Sequence, residues 1–178
     1  MPAASRYAPT RPRIHGMAPY LPITVVAIQL AAASGIPPKT LHAAQERAAH
    51  MLASARIKPL WTDHADLHIQ IVATEPHGYA DAAGFAVLIP DETGYAAVSW
   101  PAVSRGADQM EVDTAVLLGA VIAHEIGHLL FGPSHTHSGV MSPRLGPKEM
   151  RLASRGELRF ENGDRLSLTS YRKTPSSH

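Results

Sequence analysis

The sequence predicts a single α+β domain, and three observations support this prediction. Apolar residues alternate with polar ones in short segments of the first half of the chain, as in half-buried strands, and recur at helical spacing elsewhere. The predicted order is strand, helix, several strands and then helices, which is typical of an α+β fold. With 178 residues the chain is long enough to bury one sizeable core and too short for two.

Composition narrows the classes of function. Hydrophobic residues make up 45% and charged residues 17% of the chain, which is ordinary globular composition. Sixteen Lys and Arg residues against fifteen Asp and Glu residues leave a formal net charge of +1, so neither a nucleic acid nor a membrane is an expected partner. Cysteine is absent, which excludes disulfides and thiolate metal sites. Any metal ion must therefore be bound by His, Asp or Glu.

The N-terminal region has two interpretations. Residues 1–20 contain four prolines and one glycine and are predicted to form a flexible lead-in. Arg6, Arg11 and Arg13 precede the apolar run LPITVVAIQLAAAS, a pattern that also occurs in secretory signals. We favour a first core strand over ITVVAIQL, because Val, Ile and Thr dominate it and a Gly-Ile-Pro-Pro turn follows. The localisation stays open between the cytoplasm and export to the periplasm or beyond.

One helix and four strands are predicted next. The helix begins near Pro38 and ends near Ala55, with an apolar face formed by Leu41, Ala44, Ala48, Met51 and Leu52. KPLWTD is predicted to be a short strand, and ADLHIQIVAT alternates like a half-buried strand. After a loop over 75–83, GFAVLI and YAAVSW are predicted to form a hairpin or the edge of a sheet.

The longest helix is predicted over 112–131, VDTAVLLGAVIAHEIGHLLF. This segment is apolar nearly all round until His124, which is typical of a helix buried in a core. Asp113 or Thr114 is the expected cap, and Gly132 is expected to end the helix. We expect no segment of the chain to reach the length of about 18 apolar residues that a membrane-spanning helix needs.

The C-terminal part is predicted to be helical. A helix begins at Pro147 and ends near Ser154, and a last short helix or turn is predicted over 164–171. The domain is expected to span 21–172, and the tail over 173–178 is expected to be frayed.

A candidate metal site lies at the end of the long helix. His124 and His128 are four residues apart, so their side chains lie on one helix face about one turn, roughly 6 Å, from each other. Both imidazoles can then bind one ion at the roughly 2.0 to 2.1 Å of a zinc–nitrogen bond. Glu125 lies where it can contact a metal-bound water without binding the metal, which is the position of a general base. A bare His-Glu-x-x-His also occurs by chance, but polar groups at the end of a buried helix need partners.

The third ligand is not fixed by these residues alone. His135 and His137 follow the predicted helix end at Gly132, and Met141 lies in a Gly-Val-Met turn beyond them. Either histidine can complete the set. Three histidines would leave the fourth tetrahedral position for water, as catalytic zinc sites do.

The stretch AHEIGHLLFGPSHTHSGVM, followed by LASRGEL, resembles the zincin metallopeptidases. The metzincin branch of that family adds a glycine turn, a third histidine and a methionine-containing turn to the helix pair. The likeness is closer to a largely uncharacterised group of bacterial zincin-like proteins, and it covers about 112–160, with a looser fit upstream. The chain departs from the metzincin pattern because its turn is one residue longer, with His135 seven rather than six residues after His128.

The resemblance implies a zincin-like single domain. In it a small mixed sheet packs on an N-terminal helix and a buried active-site helix, followed by a Met-turn and a C-terminal helix. The resemblance also implies His124, His128 and His135 as zinc ligands, since Ser-His-Thr-His-Ser-Gly-Val-Met matches the group's Ser-His-x-x-Ser-Gly-Ile-Met without a gap. His137 then becomes an alternative ligand or a residue of the rim, and Met141 becomes the apolar floor under the metal.

The expected activity is zinc-dependent hydrolysis of a peptide or protein substrate by a monomeric enzyme. Glu125 would take the proton of a zinc-activated water and pass it to the leaving amine. The candidates for a second stabiliser of the transition state are Tyr95, His137 and Tyr171, and their spacing from the metal-site residues in the sequence favours none of them. YAAVSW or GFAVLI is the expected edge along which an extended peptide adds itself to the sheet, with Ala97→Pro as a test.

Three other classes of function are considered. A zincin-fold zinc-binding protein with latent or lost peptidase activity, used as a binding module, is compatible with the sequence. A purely structural zinc site is disfavoured, because Glu125 would have no use there. A zinc-dependent endoribonuclease is also disfavoured, because the small three-histidine endoribonucleases lack a Glu directly after the first His and tend to have basic surfaces.

Overall fold

Five strands and four helices form the fold over the residues that the computed structural model describes, which are 22–74, 83–87 and 94–161. The elements are β1 Thr24–Ala32, α1 Pro38–Ser54, β2 Ile57–Trp61, β3 Leu67–Val72, β4 Gly84–Val87, β5 Gly94–Ser99, α2 Trp100–Met110, α3 Thr114–Phe131 and α4 Pro147–Ser154. The predicted α+β class is confirmed, and each strand and helix predicted within these residues is present. The lead-in over 1–20, the short helix or turn over 164–171 and the tail over 173–178 lie outside the described residues.

The sheet has the strand order β2-β1-β3-β5-β4. The first four of these strands run parallel, and β4 pairs antiparallel with β5. The predicted pairing of GFAVLI with YAAVSW is therefore confirmed for the described residues, among which β4 forms the edge of the sheet. The apolar core lies on one face of the sheet, since Leu67, Ile69 and Ile71 of β3 are buried while the alternate positions His68 and Gln70 are not.

β5 is an interior strand, which corrects one of the two expectations for the substrate edge. YAAVSW has β3 on one side and β4 on the other, so it has no free edge. Ala97 pairs with Phe85 and is 3% exposed. A proline at Ala97 would therefore disturb the interior of the sheet rather than a substrate contact.

α3 is the core helix of the domain. Asp113, one of the two predicted caps, accepts a hydrogen bond from Ala115 N at 2.7 Å. α3 packs closely on α1 at Gly119, where a Cβ would lie 2.8 Å from both Ala44 O and Arg47 Cβ. By length and composition α3 is apolar enough to cross a membrane, which corrects the expectation that no segment is, but 78% of it is buried inside the protein.

α2 is the one described helix that the sequence analysis did not predict. Its middle is polar and contains Gly106, and only Val103 and Ala107 are buried, so the apolar period is too short to recognise. Two signals at its start were available: the hydroxyl of Ser99 caps the helix, and Pro101 lies in the first turn. α2 contacts both β5 and α3, and it therefore lies beside the helix that bears the candidate ligands.

Candidate metal centre

His124 and His128 face each other near the C-terminal end of α3. Their Nε2 atoms are 3.0 Å apart, and their ring centroids are 4.6 Å apart. Two nitrogen ligands of a tetrahedral zinc ion lie about 3.3 Å from each other when both bonds are 2.0 to 2.1 Å. The one-turn spacing therefore brings both nitrogens within reach of a single ion.

In each ring, the hydrogen bond made by Nδ1 determines whether Nε2 has a lone pair. His124 Nδ1 lies 2.7 Å from Val140 O, and His128 Nδ1 lies 3.1 Å from Gly132 O. A carbonyl oxygen only accepts hydrogen bonds, so each Nδ1 donates, and Nε2 of the neutral ring is left with a lone pair.

Burial keeps these two rings neutral. It lowers the pKa of His124 to about 4, and it lowers the pKa of His128 as well. Two lone pairs that face each other at 3.0 Å cannot form a hydrogen bond. A cation between His124 and His128 satisfies both nitrogens, so the donor set fits a metal ion.

The loop after α3 brings a third histidine to this pair. The ring centroid of His135 lies 5.4 Å from that of His124 and 4.8 Å from that of His128. One ring nitrogen from each of the three lies within 4.8 Å of the other two, so the group can hold a metal ion. His137 is exposed and does not belong to this group. Of the two histidines that the residue pattern left open, His135 is the one that the fold places beside the helix pair.

Gly132 ends α3 and also orients His128. Its φ of +94° lies in the region that favours glycine, and its N–H donates to His128 O at 3.0 Å. Its own carbonyl accepts from His128 Nδ1. The residue that turns the chain towards His135 therefore also fixes the ring of the second histidine.

Met141 packs against α3 at Gly127. It is 1% exposed. A Cβ at Gly127 would overlap Met141 Sδ and would lie 2.9 Å from Phe160 Cε1, so only glycine allows this contact. Met141 therefore lies directly against the backbone of the α3 turn that contains Gly127.

The turn that contains Val140 is attached to the last described segment of the chain. Val140 N donates to Arg159 O at 3.0 Å. Gly139 has a φ of +81°, and a Cβ there would lie 2.5 Å from Arg159 O, so this close approach also requires glycine. Because Val140 O accepts from His124, the segment after α4 helps to hold the first candidate ligand in place.

Glu125 is buried beside the histidine pair. It is 3% exposed, and its Oε2 has no hydrogen-bond partner among the described residues. Burial raises the pKa of Glu125 to about 8. β4 covers this carboxyl, since a Cβ at Gly84 would lie 2.5 Å from Glu125 Oε1. A buried carboxyl oxygen without a partner, next to two facing lone pairs, is a further sign that these residues fit a bound cation and its water.

An open cleft of about 1100 Å³ contains the three histidines and Glu125. Its walls are formed by β4, α2, α3 and the segment that follows Met141. Sequence reasoning missed the polar residues that α2 contributes, Arg105 and Gln109, because it missed the helix. It also assigned no role to Arg144, which lines the cleft as well.

Of the three candidates for a second transition-state stabiliser, the two within the described residues, Tyr95 and His137, are not brought into the cleft. Tyr95 donates to Gln70 Oε1 at 2.6 Å on the face of the sheet opposite the core. His137 does not line the cleft, and Tyr171 lies outside the described residues. The structure therefore does not single out any of the three.

Comparison with known proteins relates the fold to metalloproteinases. No protein-family model and no curated protein matches the chain in sequence. Among solved structures, metalloproteinase-II from Bacteroides fragilis is similar, with a TM-score of 0.50, 11% identity and coverage of 83% of this chain and 53% of that one. The chain thus spans about half the length of that protein. The five-stranded mixed sheet and the helices share the fold of this metalloproteinase.

Two further solved structures align less closely. Myroilysin aligns with a TM-score of 0.39 and 16% identity over 69% of this chain and 54% of that one. The GM1-bound form of the ECX AB5 holotoxin aligns with a TM-score of 0.39 and 15% identity over 79% of this chain and 74% of that one.

Proposed function

We propose that the protein is a zinc-dependent metallopeptidase. The observation that supports this most directly is the pair of facing, neutral Nε2 atoms of His124 and His128, with the unpartnered carboxyl of Glu125 beside them. The fold shared with metalloproteinase-II from Bacteroides fragilis agrees with this proposal. No other group of three metal-binding side chains occurs among the described residues.

Zinc is the proposed metal because of the chemistry of the donors. Imidazole nitrogens suit zinc, whereas calcium and magnesium prefer oxygen ligands. The proposed ligands are Nε2 of His124, Nε2 of His128 and one ring nitrogen of His135. Zinc held by these three histidines would have one position left for water, would lower the pKa of that water to about 7 and would polarise a peptide carbonyl.

Glu125 is the proposed general base. It takes a proton from the attacking water and gives it to the leaving nitrogen, so that the peptide becomes a carboxylic acid and an amine. Glu125 must be ionised to accept this proton. A neighbouring cation favours the ionised form and opposes the burial that raises its pKa to about 8.

β4 is the proposed edge for an extended substrate. Ser99 N donates to Ala83 O at 2.8 Å, and hydrogen bonds alternate along an antiparallel pair. Phe85 therefore bonds to β5, while Gly84 and Ala86 turn their backbone groups towards the outer edge. Gly84 and Ala86 also line the cleft, so a peptide that pairs with them would pass close to the three histidines.

A second candidate function is a zinc-binding protein of the same fold whose peptidase activity is latent or lost. The observation that favours it is the enclosure of Glu125 beneath Gly84. In this case the histidines bind zinc, but water and substrate do not reach the carboxylate together.

One experiment tests both candidates. Zinc content is measured after purification without chelators, and cleavage of a peptide library is followed by mass spectrometry, for the wild type and for Glu125→Gln. The peptidase proposal predicts about one zinc per chain in both proteins and cleavage by the wild type alone. The amide of Gln cannot accept the proton, so we expect a loss of at least about 100-fold in kcat.

Other outcomes decide against the first proposal. Zinc in both proteins with cleavage in neither supports the second candidate. A wild type without stoichiometric zinc, even after zinc is added, contradicts both candidates.

A further inference from the structure

The last residue of α1 is hydrogen-bonded to the segment that follows α4. Ser54 Oγ donates to Met51 O at 2.6 Å and accepts from Phe160 N at 2.9 Å. Ser54 and Phe160 are 106 residues apart in the sequence, so this contact depends on the fold and not on local structure. The hydroxyl of Ser54 therefore fixes where the segment after α4 lies against α1.

The peptide group that Ser54 binds also holds the turn that contains Val140. The N–H of Phe160 and the carbonyl of Arg159 belong to one planar peptide group and point in opposite directions. The N–H donates to Ser54, and the carbonyl accepts from Val140 N at 3.0 Å. One rigid group thus links the end of α1 to the Val140 turn.

The Val140 turn in its place orients the first candidate ligand. Val140 O accepts from His124 Nδ1 at 2.7 Å. A hydrogen bond to one ring nitrogen fixes the orientation of a histidine whose other nitrogen binds a metal. Three consecutive hydrogen bonds therefore connect Ser54 to His124: from Phe160 to Ser54, from Val140 to Arg159 and from His124 to Val140.

Close packing leaves this connection little freedom. A Cβ at Gly139 would lie 2.5 Å from Arg159 O, so the turn and the segment are in direct contact. Phe160 is 4% exposed, and its ring centroid lies 5.5 Å from that of Phe131 at the end of α3. Phe160 is thus held at its backbone by α1 and at its ring by the helix that bears His124. A displacement of its peptide group would therefore be passed on to the Val140 turn.

We propose that Ser54 is a positioning residue for the metal centre, which acts through the peptide group of Phe160 and the Val140 turn on the ring of His124. The inference rests on the metal site of the proposed function and adds a determinant of metal affinity that lies outside the cleft. Ser54 does not line the cleft, so its effect reaches the metal only through His124.

The test measures zinc affinity after removal of the hydroxyl. The zinc Kd of the full-length wild type and of Ser54→Ala is determined by competition with a chromogenic chelator. Loss of a group that contacts a metal ligand directly costs about 10-fold to 100-fold in affinity. Ser54 acts through two further hydrogen bonds, so we expect Kd to rise by about threefold to tenfold. Ser54→Thr retains a hydroxyl that can reach the same partners, and its Kd should equal that of the wild type.

Asp113→Ala is the matched control for a loss of stability alone. Asp113 also accepts one backbone N–H with a side-chain oxygen, but at the opposite end of α3 from the histidines. Each alanine variant loses one such hydrogen bond, so each should lower the Tm of the metal-free protein by about 2 to 4 °C. Ser54→Ala alone should raise the zinc Kd, and it alone should change the visible absorption spectrum of the Co²⁺-substituted protein, which depends on ligand geometry.

A second substitution acts on the same peptide group from its other side. Gly139→Ala forces the Val140 turn away from Arg159 O and should raise the zinc Kd by at least about tenfold. Because both changes break one connection, the double variant should bind zinc about as weakly as Gly139→Ala alone. Additive effects on log Kd would show that Ser54 acts by another route and would overturn the inference.

Zinc affinity and peptide cleavage are measured separately. A higher Kd for Ser54→Ala, with Ser54→Thr and Asp113→Ala unchanged, supports the inference even if no peptide is cleaved, a result that would contradict the peptidase proposal alone. Equal zinc Kd values for the wild type and Ser54→Ala would overturn the inference and leave the proposed function in place. A wild type that binds no zinc would contradict both.

Discussion

At the scale of single residues, the two helix histidines use their nitrogens in different ways. In both His124 and His128, Nδ1 donates to a backbone carbonyl and Nε2 faces the partner ring. The four-residue spacing was enough to predict the pair, because helix geometry is local. The carbonyls of Val140 and Gly132 were not predicted, because they depend on how the loop folds back. The assignment of His135 rather than His137 came from the likeness to zincins and agrees with the placement of the rings.

A pH dependence of stability is predicted for Glu125 in the metal-free protein. Burial raises its pKa from an ordinary 4.5 to about 8, so between these values the folded state binds more protons than the unfolded chain. This contribution to stability is complete below about pH 4.5 and is lost as the pH rises to about 8. The free energy of unfolding of wild type minus that of Glu125→Gln should therefore fall by on the order of 3 kcal/mol across this range.

The difference in free energy of unfolding between the wild type and Glu125→Gln largely excludes the pH dependence that the histidines contribute, which has the opposite sign. The pKa of His124 is lowered from 6.5 to about 4, so its contribution is complete above about pH 6.5 and is lost as the pH falls through 4. His124 is present in both proteins, and its effect largely cancels in the difference. Urea unfolding with a chelator, from pH 4.5 to 8.5, measures the two curves. A difference that does not change with pH would show that the carboxyl of Glu125 is not buried in solution.

At the scale of secondary-structure elements, the strands and the long helices were predictable and α2 was not. β3 was predictable from its alternating apolar residues and α3 from its long, nearly continuous apolar run, and both patterns match the burial of these elements. α2 lies at the surface and has only two buried residues, so the sequence indicates this helix only through the residues at its N-terminal cap. The strand order could not be predicted from the sequence either, because no local sequence pattern distinguishes β5 as an interior strand from β4 as the edge strand.

Ala86→Pro tests the proposed role of the β4 edge. The N–H of Ala86 points away from β5. Proline at this position therefore removes a hydrogen-bond donor that could bind the substrate, but it does not remove a hydrogen bond within the sheet. We expect KM to rise about fivefold, the value of one backbone hydrogen bond, with zinc content unchanged.

Ala86→Val is the matched control for this substitution. It retains the N–H and suits a strand, so its KM should stay near that of the wild type. Circular dichroism establishes that both variants are folded. Equal KM values for folded Ala86→Pro and the wild type would show that the substrate does not pair with β4.

At the scale of the whole molecule, the candidate site joins parts of the chain that are distant in sequence. α3 supplies two histidines, the loop after it supplies the third, and the Val140 turn is attached to Arg159. The sheet and α1 pack against α3, and the face of α3 from Leu117 to His128 lines the cleft. A bound metal ion would therefore link the core helix to the C-terminal segments.

Removal of the metal should lower the stability of the folded protein. Zinc that binds the folded state alone stabilises it by about 4 kcal/mol when its concentration is a thousandfold above Kd. For a domain of this size a chelator should then lower Tm by roughly 10 °C, and added zinc should restore it. Thermal unfolding of the wild type and of His128→Ala checks this. The variant lacks a ligand, so its Tm should not respond to the chelator, and an equal response in both proteins would place the stabilising ion elsewhere.

The proposed function depends on one metal ion that is bound by His124, His128 and His135. Anomalous diffraction at the zinc absorption edge, from crystals grown without chelator, tests it most directly. We expect a single strong peak about 2.0 to 2.1 Å from Nε2 of His124, Nε2 of His128 and a ring nitrogen of His135, with His137 away from it. The absence of a peak between these rings in zinc-soaked crystals, or a peak next to His137 in place of His135, would show that these three histidines do not form the metal site.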